Sequence, residues 1–309
     1  MTIQTPVTGS TRTIVTAGAP KRHRHAHAER STRETATKRL LYVVGGVLAS
    51  LVFIVPLLLA VARAFQPHAV VTAPPEWATF FHFTWENFAQ FASQSGLGRS
   101  ILNSVIVSVA TAVLTAFVAT LAGYGFAKFR SRWLPWLFGA ILVTMMIPFQ
   151  AILTPLYIEM NTLGLTDSLF GLVLFYTTVN LPFCIFVMRN TFDAVPDELE
   201  EAALIDGARL PRILTSVVRP LIMPGVATSA LYAFLASWTE FLGALTFLTD
   251  QDLFTLPVSM VNMQQGAYGQ VNFGLIAAGA VVAMIPCVIL YVSLQRFYVA
   301  GLASGSVKG

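Results

Sequence analysis

Charge is what this sequence has least of: only 11% of its 309 residues are charged, against roughly a quarter in a soluble domain. With 55% hydrophobic residues beside so little charge, the balance points to a bilayer as the solvent. Cysteine is scarce too. Cys184 and Cys287, the only two, both fall in apolar runs, so they read as packing residues and suggest neither a disulfide framework nor a metal site. No GxxxxGK[ST] string occurs, so nothing here would cradle a triphosphate. HExxH, GxSxG and CxxC are missing as well, and no catalytic set is left. Lysine and arginine are absent between Arg63 and Arg99, from 157 to 167, and from 249 to 272.

What is present is a series of six apolar runs, at about 40–64, 100–124, 134–157, 168–188, 222–248 and 273–297. Each is long enough for a transmembrane helix, which needs about 18 or more apolar residues, and too long for the roughly 10-residue alternation of an outer-membrane strand. The expected fold class is all-α: a polytopic membrane protein with six transmembrane helices. Pro56, Pro148, Pro155, Pro182, Pro224 and Pro286 lie in or near the ends of these runs, where a helical bundle tolerates them by re-satisfying freed carbonyls.

The basic residues set the orientation. They gather before the first run, at Lys128, Arg130 and Arg132, at Arg189, Arg209, Arg212 and Arg219, and at Arg296 and Lys308. By the positive-inside rule both termini and the connection after the fourth run are cytoplasmic. The sequence pI of about 9.2 is then a record of topology rather than of nucleic-acid binding. Residues 1–39 are polar and lack an apolar period, and they read as a disordered basic tail; residues 301–309 form a second cytoplasmic tail. His23, His25 and His27 alternate in the first tail, and a solvated arm near anionic lipid accounts for them better than a metal site. Ala62-Arg63-Ala64 looks like a signal-peptidase site, but the preceding run is too long for a leader, so the first helix is expected to stay uncleaved. Trp77, Trp85, Trp133 and Trp136 fit aromatic belts at the interfaces.

Between the fourth and fifth runs stands a conspicuously charged stretch, ELEEAALIDGARLPRILTSVVRP, residues 198–220. Pro196 suits a first helical turn, and Asp197, Glu198, Glu200 and Glu201 follow where the positive end of a helix dipole favours carboxylates. Ala202 and Ala203 offer a small surface that a partner can approach, Gly207 permits a left-handed exit, and a second short helix is expected to begin near Pro211.

EAALIDGA (201–208) followed by VVRPLIMP (217–224) resembles the Glu-Ala-Ala signature of permease subunits in binding-protein-dependent ABC importers. RSILNSVIVS (99–108), GYGFAKFR (123–130), MMIPFQAILTPLY (145–157), NTLGLTDSLFGLVL (161–174) and FLASWTEFLGAL (234–245) are similar to the carbohydrate branch, and to its second, maltose-permease-like subunit. The resemblance covers about residues 40–300, the expected permease domain, with a coupling loop at 193–220.

It implies a non-catalytic transport subunit in a bacterial inner membrane. Its partners would be a homologous permease in a heterodimer, two cytoplasmic ATPase subunits carrying ATP and Mg, and an external solute-binding protein. This chain itself would hold no cofactor, and the cargo would be a sugar, oligosaccharide or polyol. Glu200, Glu201, Ala202, Ala203, Asp206, Gly207, Ala208 and Arg212 would form the coupling element to the ATPase. Two positions depart from the pattern: Arg219-Pro220 stands for Leu-Pro, and Trp238-Thr239-Glu240 for Trp-Asn-Glu, which leaves the identity of the cargo open.

Substrate-pathway candidates are Glu240, expected well inside the fifth span and so a functional candidate by default, together with Trp238, Tyr232, Asn103 and Asn180. Glu240 fits a structural hydrogen-bond partner equally well, and Trp238 a core residue. Two other readings of the whole chain are an ion-coupled carrier that uses Glu240 as its relay and a membrane scaffold that docks a cytoplasmic partner.

Overall fold

The computed structural model describes residues 24–66, 83–209, 212–264 and 272–305, without the side chains of 24–37, 264 and 294–305. The described residues are helical and contain no β-strand. In chain order the helices are α1 (Arg24–Ala64), α2 (Glu86–Ala92), α3 (Leu97–Lys128), α4 (Leu134–Thr144), α5 (Phe149–Thr162), α6 (Leu169–Asp193) and α7 (Asp197–Ile205). A π-helical turn at Ile213–Val218 leads into α8 (Arg219–Thr239), followed by α9 (Leu242–Phe247), α10 (Leu256–Gln264) and α11 (Phe273–Gly305). Residues 1–58 and 59–309 form two compact units.

Five helical segments are long and apolar enough to cross a membrane: Lys38–Ala64, Leu97–Lys128, Leu169–Asp193, Ile213–Thr239 and Phe273–Ser293. The sixth expected span is broken. α4 and α5 meet at 98°, and Pro148 opens α5 from an extended conformation (φ −64°, ψ 126°). α4 ends at Thr144, and a proline disfavours the α region for the residue before it, so the chain resumes a helix only at Phe149. Counted as one span, the bent pair completes the six.

Two boundaries differ from expectation. The first helix begins at Arg24, so 24–39, expected to be disordered, are helical; the Ala, Glu and Arg that are frequent there are good helix formers. Residues 1–23, with His23, lie outside the described residues. The fifth run, expected to continue to 248, stops at Thr239, and Glu240 is extended (φ −73°, ψ 132°). Glu240 therefore sits at a helix break and not in mid-span. The second short helix expected near Pro211 cannot be placed, because Leu210 and Pro211 lie outside the described residues. Pro220, in the departing Arg-Pro pair, is the second residue of α8 and follows the π-helical turn without a break, so its missing N–H removes one bond from the helical ladder there.

α3, α6 and α8 form the centre of the second unit. α3 turns a stripe of small residues inward, with Ser104, Ser108, Thr111, Ala112, Thr115, Ala119 and Gly123 all buried. Small side chains let membrane helices approach closely, where van der Waals packing replaces the hydrophobic drive that lipid cannot supply. At Gly123 the approach is closest: a Cβ there would lie 2.6 Å from Met188 Cβ and 2.9 Å from the Arg189 nitrogen. The opposite face of α3 carries exposed Val113, Phe117 and Leu121.

The two ends of α3 anchor the connections. At its start, Asn103 donates from Nδ2 to the carbonyls of Asp252 (2.9 Å) and Phe254 (3.1 Å), and Ser104 Oγ accepts from Leu256 N–H at 2.7 Å. Arg99 meets Asp252 at 2.6 Å. Nearby, Asp167 adopts φ 52° and its Oδ1 accepts from the N–H groups of Thr249 and Asp250, both at 2.9 Å. Those two donors, Asp250 first, hold its carboxyl below the usual carboxylate value. The other end of α3 carries the charged loop.

Candidate functional site at the charged loop

α7 starts at Pro196 (φ −60°, ψ 132°), with Asp197, Glu198 and Glu200 in its first turn. Glu201, expected in that turn, falls in the second and is exposed, beyond the reach of the strongest N-terminal dipole field. The carboxylates divide into two sets. Asp197 Oδ1 lies 2.6 Å from Lys128 Nζ and Glu200 Oε1 2.9 Å from it. Lys128 also donates to the Val195 carbonyl at 3.4 Å. Its ammonium, as bond donor and as charge, holds the Asp197 carboxyl below its ordinary value. Lys128 thus fastens the start of α7 to the end of α3.

The far end of α7 is closed by a glycine. Gly207 has φ 77°, its N–H bonds to the Leu204 carbonyl, and Ala208 N–H bonds to the Ala203 carbonyl, both at 3.0 Å. These two bonds satisfy carbonyls that a helix end otherwise leaves orphaned, in the Schellman arrangement. Ala203 and Ala208 pack against the core around Phe192, Val195, Ile213 and Val218. Ala202, Asp206 and Arg212 are exposed, as are two large apolar side chains, Leu204 at 56% and Ile205 at 86%. α7 is therefore a fixed helix with Glu200, Ala203 and Ala208 turned in, and with Glu201, Ala202, Leu204, Ile205 and Asp206 turned out.

The pathway candidates do not converge on one cavity. Asn103 is buried and spent on the two carbonyls of the 252–254 segment. Asn180 is buried and donates to the Tyr176 carbonyl of its own helix at 2.7 Å. Trp238 is 3% exposed, its Nε1–H bonds to the Ala283 carbonyl at 3.0 Å, and its ring stacks on Phe234. Tyr232 is partly exposed and packs on Phe183, with ring centroids 4.2 Å apart and the rings tilted by 39°. Glu240 accepts the Tyr176 hydroxyl at 2.7 Å and the N–H groups of Gly243 (2.9 Å) and Ala244 (3.2 Å). It caps α9 and bridges to α6.

A protein family described as the binding-protein-dependent transport system inner membrane component matches residues 119–303, a stretch that contains α7, its Lys128 anchor, all of α6 and α8, and the last turns of α3. The chain belongs to that family. The sulfoquinovosyl glycerol transport system permease protein of Agrobacterium fabrum is 35% identical over 226 residues, 73% of this chain and 79% of that one. The trehalose/maltose transport system permease protein of Thermococcus litoralis is 29% identical over 281 residues, 90% of this chain and 99% of that one. Among solved structures, a bacterial ABC transporter involved in the import of the acidic polysaccharide alginate superposes with a TM-score of 0.72 at 23% identity, over 85% of this chain and 98% of that one, a likeness of fold. As a family member with five or six apolar spans, the protein is an inner-membrane permease component of an ABC importer that works with a solute-binding protein.

Sequence reasoning missed Lys128 and Asp167. Lys128 was visible only as one more basic residue of a cytoplasmic connection, and Asp167 as a polar loop residue. Neither carries a local signal of the partner it meets.

Proposed function

We propose that this chain is one permease half of an ATP-driven importer for a sugar, oligosaccharide or related polyol, and that α7 is the element through which a separate ATPase drives it. The observation that carries the reading is the rigid projection of α7. A helix clamped at one end by Lys128 and closed at the other by Gly207 can transmit a push to α3 and α6 without being absorbed by the loop. Its outward face joins the carboxylates of Glu201 and Asp206 to the apolar side chains of Leu204 and Ile205. That mixture suits a cleft with an apolar floor and a cationic rim, where a carboxylate accepts charge-assisted bonds. ATP and Mg belong to the partner ATPase pair, and a homologous permease completes a heterodimer. Both termini and α7 face the cytoplasm, and residues 40–300 make the transport domain between a basic N-terminal tail and a short C-terminal one. Relatives named for trehalose/maltose and for sulfoquinovosyl glycerol support a carbohydrate cargo.

The experiment is uptake into vesicles reconstituted with the whole complex. Transport should require internal ATP and the external binding protein, and Glu201→Ala should lower binding-protein-stimulated ATP hydrolysis and uptake together while the complex still inserts. Loss of a buried charge pair of this kind costs roughly 2 to 5 kcal/mol, and much less at a wet rim. Uptake driven by a proton gradient without ATP would transfer the function to the ion-coupled reading. The position of Glu240 speaks against that reading, because a carboxylate already accepting a hydroxyl and two backbone N–H groups is poorly free to relay protons.

A further inference from the structure

Beside the charged loop, where α3 ends and α4 begins, lies a cavity of about 500 Å³ lined by Phe126, Phe129, Phe138, Arg130, Arg132 and Arg189 among others. Its lining holds three guanidinium groups and no carboxylate. Two of the three arginines rest on aromatic faces. Arg189 lies over the Phe138 ring at 4.3 Å and Arg132 over the Trp133 ring at 4.9 Å. Arg189 Nε forms an ion pair with Asp193 Oδ2 at 3.6 Å, too long for a hydrogen bond, and is buried with no hydrogen-bond partner. The nearby carboxylates of Asp197 and Glu200 are taken by Lys128, although the Arg130 charge does reach Asp197.

Next to this cavity, Trp133 and Trp136 are exposed at 65% and 79%. Tryptophans so placed at the end of a span belong at the level of lipid headgroups. Leu137, also exposed, continues their face along α4 toward the hydrocarbon.

We propose that this cavity binds the phosphate headgroup of an anionic membrane phospholipid, whose acyl chains run along the exposed face of α4. Guanidinium forks match phosphate oxygens in paired hydrogen bonds, and basic pockets between membrane helices on the cytoplasmic side take anionic headgroups. The inference rests on the proposed orientation, with this end of the bundle cytoplasmic. A bound headgroup would join the α3–α4 connection to the end of α6, the base from which α7 projects. A docked protein would account for the arginines as well, but not for the two exposed tryptophans and the apolar face that continues from them.

The test begins with the complete transporter, purified with its partner subunits and analysed for retained lipid by mass spectrometry. The wild type should be enriched in phosphatidylglycerol or cardiolipin over the membrane it came from. Arg130→Gln combined with Arg132→Gln, and separately Arg189→Gln, should reduce that retention by on the order of fivefold for each arginine removed, with subunit stoichiometry unchanged.

A second measurement needs no variant. Wild-type complex in phosphatidylcholine nanodiscs should gain amide-exchange protection at residues 129–134 when phosphatidylglycerol is added, and should gain none from millimolar inorganic phosphate. Equal protection by phosphate would overturn the proposal in favour of a free-anion site. Unchanged lipid retention with loss of the ATPase from the variants would overturn it in favour of a protein contact, and absence of anionic enrichment would overturn it outright. Lipid retention does not depend on uptake, so a failed transport assay leaves this result readable.

Discussion

Lys128 Nζ lies 2.9 Å from Glu200 Oε1, with the two side chains only 13% and 17% exposed. The pair joins the last residue of α3 to the first turn of α7, so the projecting helix is seated on a membrane span by one ammonium. Lys128→Met should leave the largely buried Glu200 carboxylate unpaired, at a cost of about 1–3 kcal/mol. The expected outcome is a lower melting temperature of the purified complex, faster amide exchange across 197–205 and reduced uptake. Asp197→Asn should do much less, because that partner is largely exposed. Equal effects of the two changes would show that the pair does not seat α7.

Gly207 separates a backbone requirement from a packing one. With φ 77° and open space around the position where a Cβ would stand, a side chain there meets no atoms, only an unfavourable backbone. Gly207→Val should cost about 1–2 kcal/mol and lower binding-protein-stimulated ATP hydrolysis and uptake together. Gly207→Asn should retain most of the coupling, since Asn tolerates the left-handed region. If Asn were as damaging as Val in the coupled ATPase assay, the conformational explanation would fail.

At the opposite end of α3, the Asp167 clamp titrates. Its carboxyl is held below the ordinary value of 3.8 by the amides of Asp250 and Thr249. A carboxyl lowered in the folded state contributes stability that is present above 3.8 and is lost as pH falls through the lower native value. The clamp should therefore hold throughout neutral and mildly acidic conditions and release only in stronger acid. Amide exchange at Thr249 and Asp250, measured from pH 6 downward and corrected for intrinsic rates, should stay flat above pH 3.8 and rise only below it. Asp167→Asn should flatten that dependence; a variant with the same acid response would place the titration elsewhere.

Gly123 tests the close crossing of α3 and α6. Gly123→Ala inserts a methyl against Met188 and the backbone of Arg189, and overpacking of this kind costs about 1–3 kcal/mol. Detergent-solubilised complexes should melt earlier with little change in ATP affinity. Gly98→Ala, on the same helix with open space around it, is the control and should be near neutral.

Composition and spacing were enough to determine that the chain lives in a membrane, that it crosses about six times, and that a helix closed by Gly207 follows the fourth span. Those properties are local: apolar length, the positions of Lys and Arg, and a Schellman glycine are all read from neighbours in the chain. The side chains that meet across the chain were decided by the tertiary structure. Glu240 sits in a run apolar enough to continue as helix, and what it does instead depends on Tyr176 of α6 and on the two amides it caps. Pro148 reads in the sequence as a tolerated proline within one span, 134–157, whereas in the structure α4 and α5 meet there at 98°. Lys128 could have been any lysine at the end of a span until the fold brought Asp197 and Glu200 to it, because an ion pair is chosen by distance in space and not by distance along the sequence.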